Sequence, residues 1–169
     1  MKFRDGRCAL ATALLCWVGF ANADQPATFS YRALTPEVAL ELAQATLDAC
    51  RKAGYQTAVA VVDRNELLQV LLRDQLAGPH TPETARRKAW TAASFKTDTL
   101  SMTELTQAGK AQSGVRFVSE AMMAGGGIPI EYEGAIVGAL VISGALGGGP
   151  DYEWRGKGLT PSEEKRMSS

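Results

Sequence analysis

Two pairs of short apolar segments, each joined by a tight turn, constrain the fold more than any other feature of this chain. The first pair is TAVAVVD and LLQVLLRD, which meet at the turn DRNE. The second pair is IPIEY and AIVGALVISG, which are joined across Glu133 and Gly134. Short β-branched and apolar runs around turn residues predict β-hairpins. Strands joined this tightly must be antiparallel, so the sequence predicts an antiparallel sheet.

Helical segments precede each hairpin. LTPEVALELAQATLDACRKAG predicts a helix with Thr35 as N-cap and Pro36 at its first position, ending at Gly54. GPHTPETARRKAWTA predicts a second helix, with Thr81 as N-cap and Pro82 at its first position. A shorter helix is expected near LSMTELTQA, whereas VRFVSEAMMAGGG is ambiguous. This order of helices and hairpins predicts the α+β class, with helices packed on the sheet.

The N-terminus has the pattern of a secretory signal. MKFRDGR is positive, CALATALLCWVGF is an apolar run too short to span a bilayer with ease, and ANA is a cleavage site. We therefore expect residues 1–23 to be removed after Ala23, leaving residues 24–169 as a single periplasmic or secreted domain. The alternative is an uncleaved membrane anchor.

Composition and cysteine usage limit the function classes. The chain has 18 basic and 18 acidic residues, and no basic run interleaved with aromatics, so nothing suggests a nucleic-acid partner. Cys8 and Cys16 lie in the signal, which leaves Cys50 without a disulfide partner. Cys50 shares a predicted helix face with Leu47 and Ala43, so we expect a buried thiol.

Common catalytic and cofactor motifs are absent from the sequence. It has no C-x-x-C, H-E-x-x-H, G-x-S-x-G or Walker motif, which excludes the usual zinc, nucleophile-elbow and P-loop sites. Neither AGGGIPI nor SGALGGGP has the order and spacing of a dinucleotide fingerprint. Backbone amides of the second glycine run are compatible with an anion nest or with an ordinary turn.

Lys88 falls on the apolar face of the second predicted helix, with Ala85, Ala89, Ala92 and Phe95. A lysine there either contributes charge to a ligand pocket or has a structural partner at the helix edge. His80, the single histidine, is either a surface loop residue or a metal or haem ligand at the rim of a pocket. The other side chains able to ligate haem iron are Met122, Met123, Tyr132 and Cys50.

Three motifs resemble the GlcG/HbpS family, also called the haem-degrading domain family. Lys88, Ala89, Thr91 and Ala92 match its Lys-Ala-x-Thr-Ala helix. Gly126, Gly127, Pro129 and Ile130 match its Gly-Gly-x-Pro-Ile entry into a strand. Gly134, Val137, Gly138, Ala139, Ser143 and Gly144 match its Gly-x-x-Val-Gly-Ala…Ser-Gly strand. The resemblance covers about residues 34–150, in the right order.

The resemblance implies a profilin-like fold of α/β/α layers, assembly into homo-oligomers, and binding of haem or association with a corrinoid-enzyme partner. The matching residues place a ligand site at Lys88, Thr91, Gly126, Gly127, Ser143 and Gly144, with haem as the implied cofactor. His80 matches none of the three motifs and is the candidate metal ligand because of its residue type alone. The sequence departs from the family where Glu83 is followed by Arg86 and Arg87 rather than by further acidic residues. DYEWRGKGL also lacks the usual alanine-rich C-terminal helix.

Three functions are open at this point. The first is an exported, non-catalytic binder of haem or another planar anionic small molecule, with Lys88 meeting a ligand carboxylate. The second is an enzyme that degrades haem, which would need an axial ligand and a redox partner. The third is an accessory or assembly protein without a ligand.

The signal pattern predicts where the mature chain begins. N-terminal sequencing of the exported protein should read from Asp24, because the A-x-A site ends at Ala23. A chain that keeps Met1 and stays in the membrane fraction would contradict this prediction.

Overall fold

The computed structural model describes residues 26–145. Its helices and strands are α1 (Pro36–Lys52), β1 (Ala58–Asp63), β2 (Leu68–Arg73), α2 (Thr81–Phe95), α3 (Thr99–Leu105), a 3₁₀ helix (Ser113–Phe117), β3 (Gly127–Tyr132) and β4 (Ala135–Ser143). The predicted order of helix, hairpin, helix and hairpin is confirmed. The secretory signal, the second glycine run and the C-terminal tail of the sequence prediction lie outside the described residues. No helix within residues 26–145 is long and apolar enough to cross a bilayer.

The four strands form one sheet in the order β2-β1-β4-β3, and all neighbours are antiparallel. Both predicted hairpins are present, and the two central strands come from different hairpins. All six residues of β1 are buried. The turn between β3 and β4 places Glu133 and Gly134 at φ 48° and 74°, the left-handed conformations that a two-residue hairpin turn requires. The α+β prediction is confirmed.

Alternate residues of the central strands face two different helices. Val59 and Val61 pack on the side of α1, in a core of larger apolar residues. The opposite side of the sheet packs against α2, and its cluster consists of Ala58, Ala60, Val62, Ala85, Ala89, Ala92, Ala93, Ala139 and Val141. Because most of these side chains are alanine, α2 lies close to the sheet. The Cys50 side chain is buried in the α1 core, as predicted.

The two long helices begin differently from each other. Thr35 is the N-cap of α1, and its hydroxyl accepts a hydrogen bond from the Val38 amide at 3.4 Å, as predicted. The prediction that Thr81 caps α2 was wrong, because Thr81 is the first helical residue and His80 is the N-cap. The Thr81 hydroxyl donates to the Gly78 carbonyl at 2.8 Å, so it closes the preceding turn.

Gly138 of β4 lies where the neighbouring backbone comes too close for a side chain. A Cβ atom placed there would lie 2.3 Å from the Val62 carbonyl oxygen and 2.8 Å from Leu34 Cδ1. Only a residue without Cβ allows this approach between β4 and β1.

Gly138→Ala should therefore destabilise the fold by about 1–3 kcal/mol, the usual cost of overpacking a core. Gly114→Ala is the matched control, because a Cβ there meets no atom within 4 Å. Chemical denaturation of both variants measures the difference. Equal stability of the two variants would contradict the close approach.

Candidate functional site

The ammonium group of Lys88 joins α2 to β4 and to the segment that leads into β3. The residue is 3% exposed. Its Nζ donates to the carbonyl of Gly125 at 2.6 Å and to the carbonyl of Ile142 at 2.5 Å. Ile142 belongs to β4, and Gly125 precedes β3. Lys88 therefore has structural partners, which was one of the two alternatives for this residue.

Thr91 lies one turn further along α2 and is fully buried. Its hydroxyl donates to the Arg87 carbonyl at 2.8 Å and accepts from the Met122 amide at 2.9 Å. One hydroxyl thus satisfies a helix carbonyl and a loop amide together. It attaches the chain at Met122 to the helix.

Two arginines extend this attachment. Arg87 donates to the carbonyl of Glu120 at 3.2 Å and to that of Ala121 at 3.0 Å. Arg86 pairs with the Glu120 carboxylate at 2.6 Å. We call Arg86, Arg87, Lys88 and Thr91 the α2 clamp, and residues 120–125 the clamped segment. Four side chains of one helix therefore hold a six-residue segment that leads into β3.

The two glycines after the clamped segment, Gly126 and Gly127, form hydrogen bonds through their backbone atoms. The Gly126 carbonyl accepts from the Ile142 amide at 3.0 Å, and the Gly127 amide donates to Thr99 Oγ1 at 2.9 Å. A Cβ atom at Gly127 would lie 2.8 Å from Thr99 Cγ2. Thr99 was not singled out by the sequence, because its partner is distant along the chain.

Ser143 is the last residue of β4, and Gly144 follows it next to the start of α2. Ser143 is buried and lies opposite Ala58 of β1. Gly144 has φ 115°, and a Cβ atom there would lie 3.0 Å from the Gln56 carbonyl oxygen and 3.3 Å from Thr81 Cγ2. Gly144 therefore lies near the first turn of α2.

The structure places Lys88, Thr91, Gly126 and Gly127 around one feature, the clamped segment and its exit into β3. His80 lies elsewhere, since eight residues of helix separate it from Lys88 by about 12 Å along the axis. Its side chain is exposed and makes no capping hydrogen bond. The imidazole lies over Gly78, where a Cβ atom would be 2.7 Å from its Cε1.

The other side chains that could ligate iron differ in access. Cys50 is enclosed in the α1 core. Met122 and Met123 are half-buried in the clamped segment. Tyr132 is half-buried, and the Arg32 guanidinium lies 5.3 Å from the centroid of its ring. His80 is more exposed than any of these four side chains.

Glu83, in the first turn of α2, forms a salt bridge with Arg86. Both of its carboxylate oxygens accept hydrogen bonds from Arg86, at 2.8 and 2.9 Å. The Arg86 hydrogen bond is the largest cause that holds the pKa of the Glu83 carboxyl below its usual value. Within residues 26–145, no group of three or more His, Cys, Asp or Glu side chains could hold a metal ion.

Comparison with known proteins identifies the family. The model of the family described as "Haem degrading protein HbpS-like" matches residues 34–154. The chain belongs to the HbpS-like family. Among curated proteins, no sequence matches the chain.

Three solved structures show the same fold. A structure of HbpS is 30% identical, with a TM-score of 0.70 over 85% of this chain and 95% of that one. ORFY from Klebsiella pneumoniae is 22% identical, with a TM-score of 0.73 over 85% and 97%. A structure of PduOC in complex with heme is 28% identical, with a TM-score of 0.67 over 72% and 88%.

The contacts of Lys88 generate a stability prediction. Lys88→Met keeps the apolar stem but leaves two carbonyls without their donor, and an orphaned buried acceptor costs about 1–3 kcal/mol. We expect the free energy of unfolding to fall by about 2 kcal/mol or more. Lys52→Met, at the exposed end of α1, is the control and should change it by less than about 0.5 kcal/mol. Equal denaturation midpoints for the two variants would refute the structural role.

Proposed function

We propose that this chain is an exported, non-catalytic protein that binds haem or a similar planar anionic molecule and associates with copies of itself. Membership of the HbpS-like family carries the proposal, and a related chain has been solved with heme bound. The positive start, apolar run and ANA site support export. Self-association rests on the family resemblance.

One described residue at the start of α2 is of a kind that ligates haem iron. His80 offers an exposed imidazole, which is an ordinary axial ligand to haem iron. It would hold the group at the first turn of the helix, beside Gly78. When bound, haem would supply a Lewis-acidic iron and a large apolar plane.

Lys88 takes a supporting part in this proposal. Its ammonium already donates to two carbonyls, so an ion pair with a haem propionate would break at least one of those hydrogen bonds. Lys88 and Thr91 instead keep the clamped segment and the glycines after it in place.

Haem degradation is the second candidate, because the matching family description names that activity. Degradation opens the porphyrin ring by oxidation, so it needs O₂ as the oxidant and a supply of electrons in addition to a bound haem. Incubation of the haem-loaded protein with a reductant in air-saturated buffer, followed by analysis of the pigment, separates the two functions. Release of an open-chain tetrapyrrole favours degradation, and recovery of intact haem favours storage or transfer.

Titration of the purified protein with haemin tests His80. Loss of an axial imidazole should shift the Soret band and weaken binding about tenfold or more in His80→Ala, because a metal–ligand bond is lost. Gln75→Ala, in the exposed loop before α2, is the control and should bind like the native chain. If His80→Ala gives the native spectrum and affinity, iron is ligated elsewhere. If the native chain gives no saturable spectral change, haem binding itself is excluded.

A further inference from the structure

Gly78 leaves room for the imidazole of His80. A Cβ atom at Gly78 would lie 2.7 Å from His80 Cε1, 3.0 Å from Nδ1 and 3.7 Å from Nε2. The three nearest heavy atoms therefore all belong to one ring, and the closest approach is shorter than Cβ atoms tolerate. Any side chain at residue 78 would force the imidazole out of this position.

The backbone of Gly78 does not itself require glycine. Its φ is not among the positive values that favour glycine in this chain, in contrast to Gly144 at 115°. Gly138 differs in another way, because a Cβ atom there would meet the Val62 carbonyl oxygen of a neighbouring strand. What excludes a larger residue at position 78 is therefore the side chain of His80.

Hydrogen bonds hold the backbone on both sides of this contact. The Gly78 carbonyl accepts from the Thr81 amide at 3.0 Å and from the Thr81 hydroxyl at 2.8 Å. The His80 carbonyl accepts from the Thr84 amide at 3.1 Å and from the Thr84 hydroxyl at 3.0 Å. Pro79, between them, has a fixed φ. The first turn of α2 therefore sets the distance between the Gly78 backbone and the base of the His80 side chain.

We propose that Gly78 is a positioning residue for His80, which lets the imidazole lie against the loop backbone in one orientation before a ligand arrives. His80 is exposed, and an exposed side chain that changes rotamer must be ordered when it binds. An imidazole already held against Gly78 has lost part of that freedom in the free protein, so it binds iron at a smaller entropic cost. The role toward haem rests on the function proposed above, whereas the contact between the ring and the glycine does not.

Proton NMR of the haem-free protein tests the contact directly. His80 is the single histidine, so its ring protons give one set of signals. The His80 Hε1 proton should show a nuclear Overhauser effect to the Gly78 α protons, because Cε1 is the ring atom nearest to residue 78. The Hα–Hβ couplings of His80 should indicate one dominant rotamer in the native chain and a different distribution in Gly78→Ala. Absence of the Overhauser effect from either ring proton overturns the proposal.

Haemin titration in two backgrounds tests the role of Gly78 toward the ligand. Gly78→Ala should weaken haemin binding about three- to tenfold, because the displaced imidazole must be reordered. Its denaturation midpoint should match that of the native chain, since alanine suits a backbone without positive φ. In the His80→Ala background the same change should alter the affinity by less than about twofold, because the two residues act through one contact. Gly114→Ala, where a Cβ atom meets nothing within 4 Å, is the matched control.

The possible results separate the positioning role from the function on which it rests. Native affinity in Gly78→Ala, beside weak binding by His80→Ala, overturns the role of Gly78 and leaves His80 as the ligand. An equal loss in both backgrounds also overturns it, because Gly78 would then act on the loop without His80. A native chain without saturable haemin binding overturns the proposed function together with the role toward haem, and leaves the Overhauser effect between His80 and Gly78 in place.

Discussion

The buried ammonium of Lys88 is the interaction on which the α2 side of the molecule depends. Alanines let α2 lie close to β1 and β4, and this leaves little room for long side chains between helix and sheet. Lys88 reaches past them to two carbonyls. A charge in such a place is tolerated because dipoles replace the water that it has lost. A methionine would fit the space but would leave both carbonyls unsatisfied.

The remaining residues of the α2 clamp hold a segment that has no regular secondary structure. Residues 120–125 contain no helix or strand, and Glu120 has φ 72°. Such a segment has few internal hydrogen bonds, so its conformation depends on outside partners. Arg87 and Thr91 supply those partners for Glu120, Ala121 and Met122. The entry of β3 into the sheet therefore depends on α2.

Features set by neighbouring residues could be predicted from the sequence, and those set by distant contacts could not. The hairpins and the Thr35 cap depend on residues a few positions apart. The burial of Lys88 followed from helical periodicity, but its acceptors lie 37 and 54 residues further along the chain. Thr81 was assigned one position wrongly because a threonine before proline suits both the N-cap and the first helical position. The role of its hydroxyl depends on the Gly78 carbonyl.

The hydrogen bonds of the motif residues also indicate which side chains are available to bind a ligand. Three matched motif residues already have hydrogen-bond partners inside the protein. Lys88 and Thr91 bond to backbone atoms, and the Gly127 amide donates to the Thr99 hydroxyl. A polar group already satisfied inside the protein gains little from a ligand, because the ligand must replace a bond that exists. An exposed side chain gives up only its hydrogen bonds to water. His80 is exposed and lies outside all three motifs, so iron ligation by His80, as proposed above, would leave the contacts between the sheet and α2 intact. In this protein the motifs that identify the family maintain its fold, and a residue beside them is the better candidate for binding.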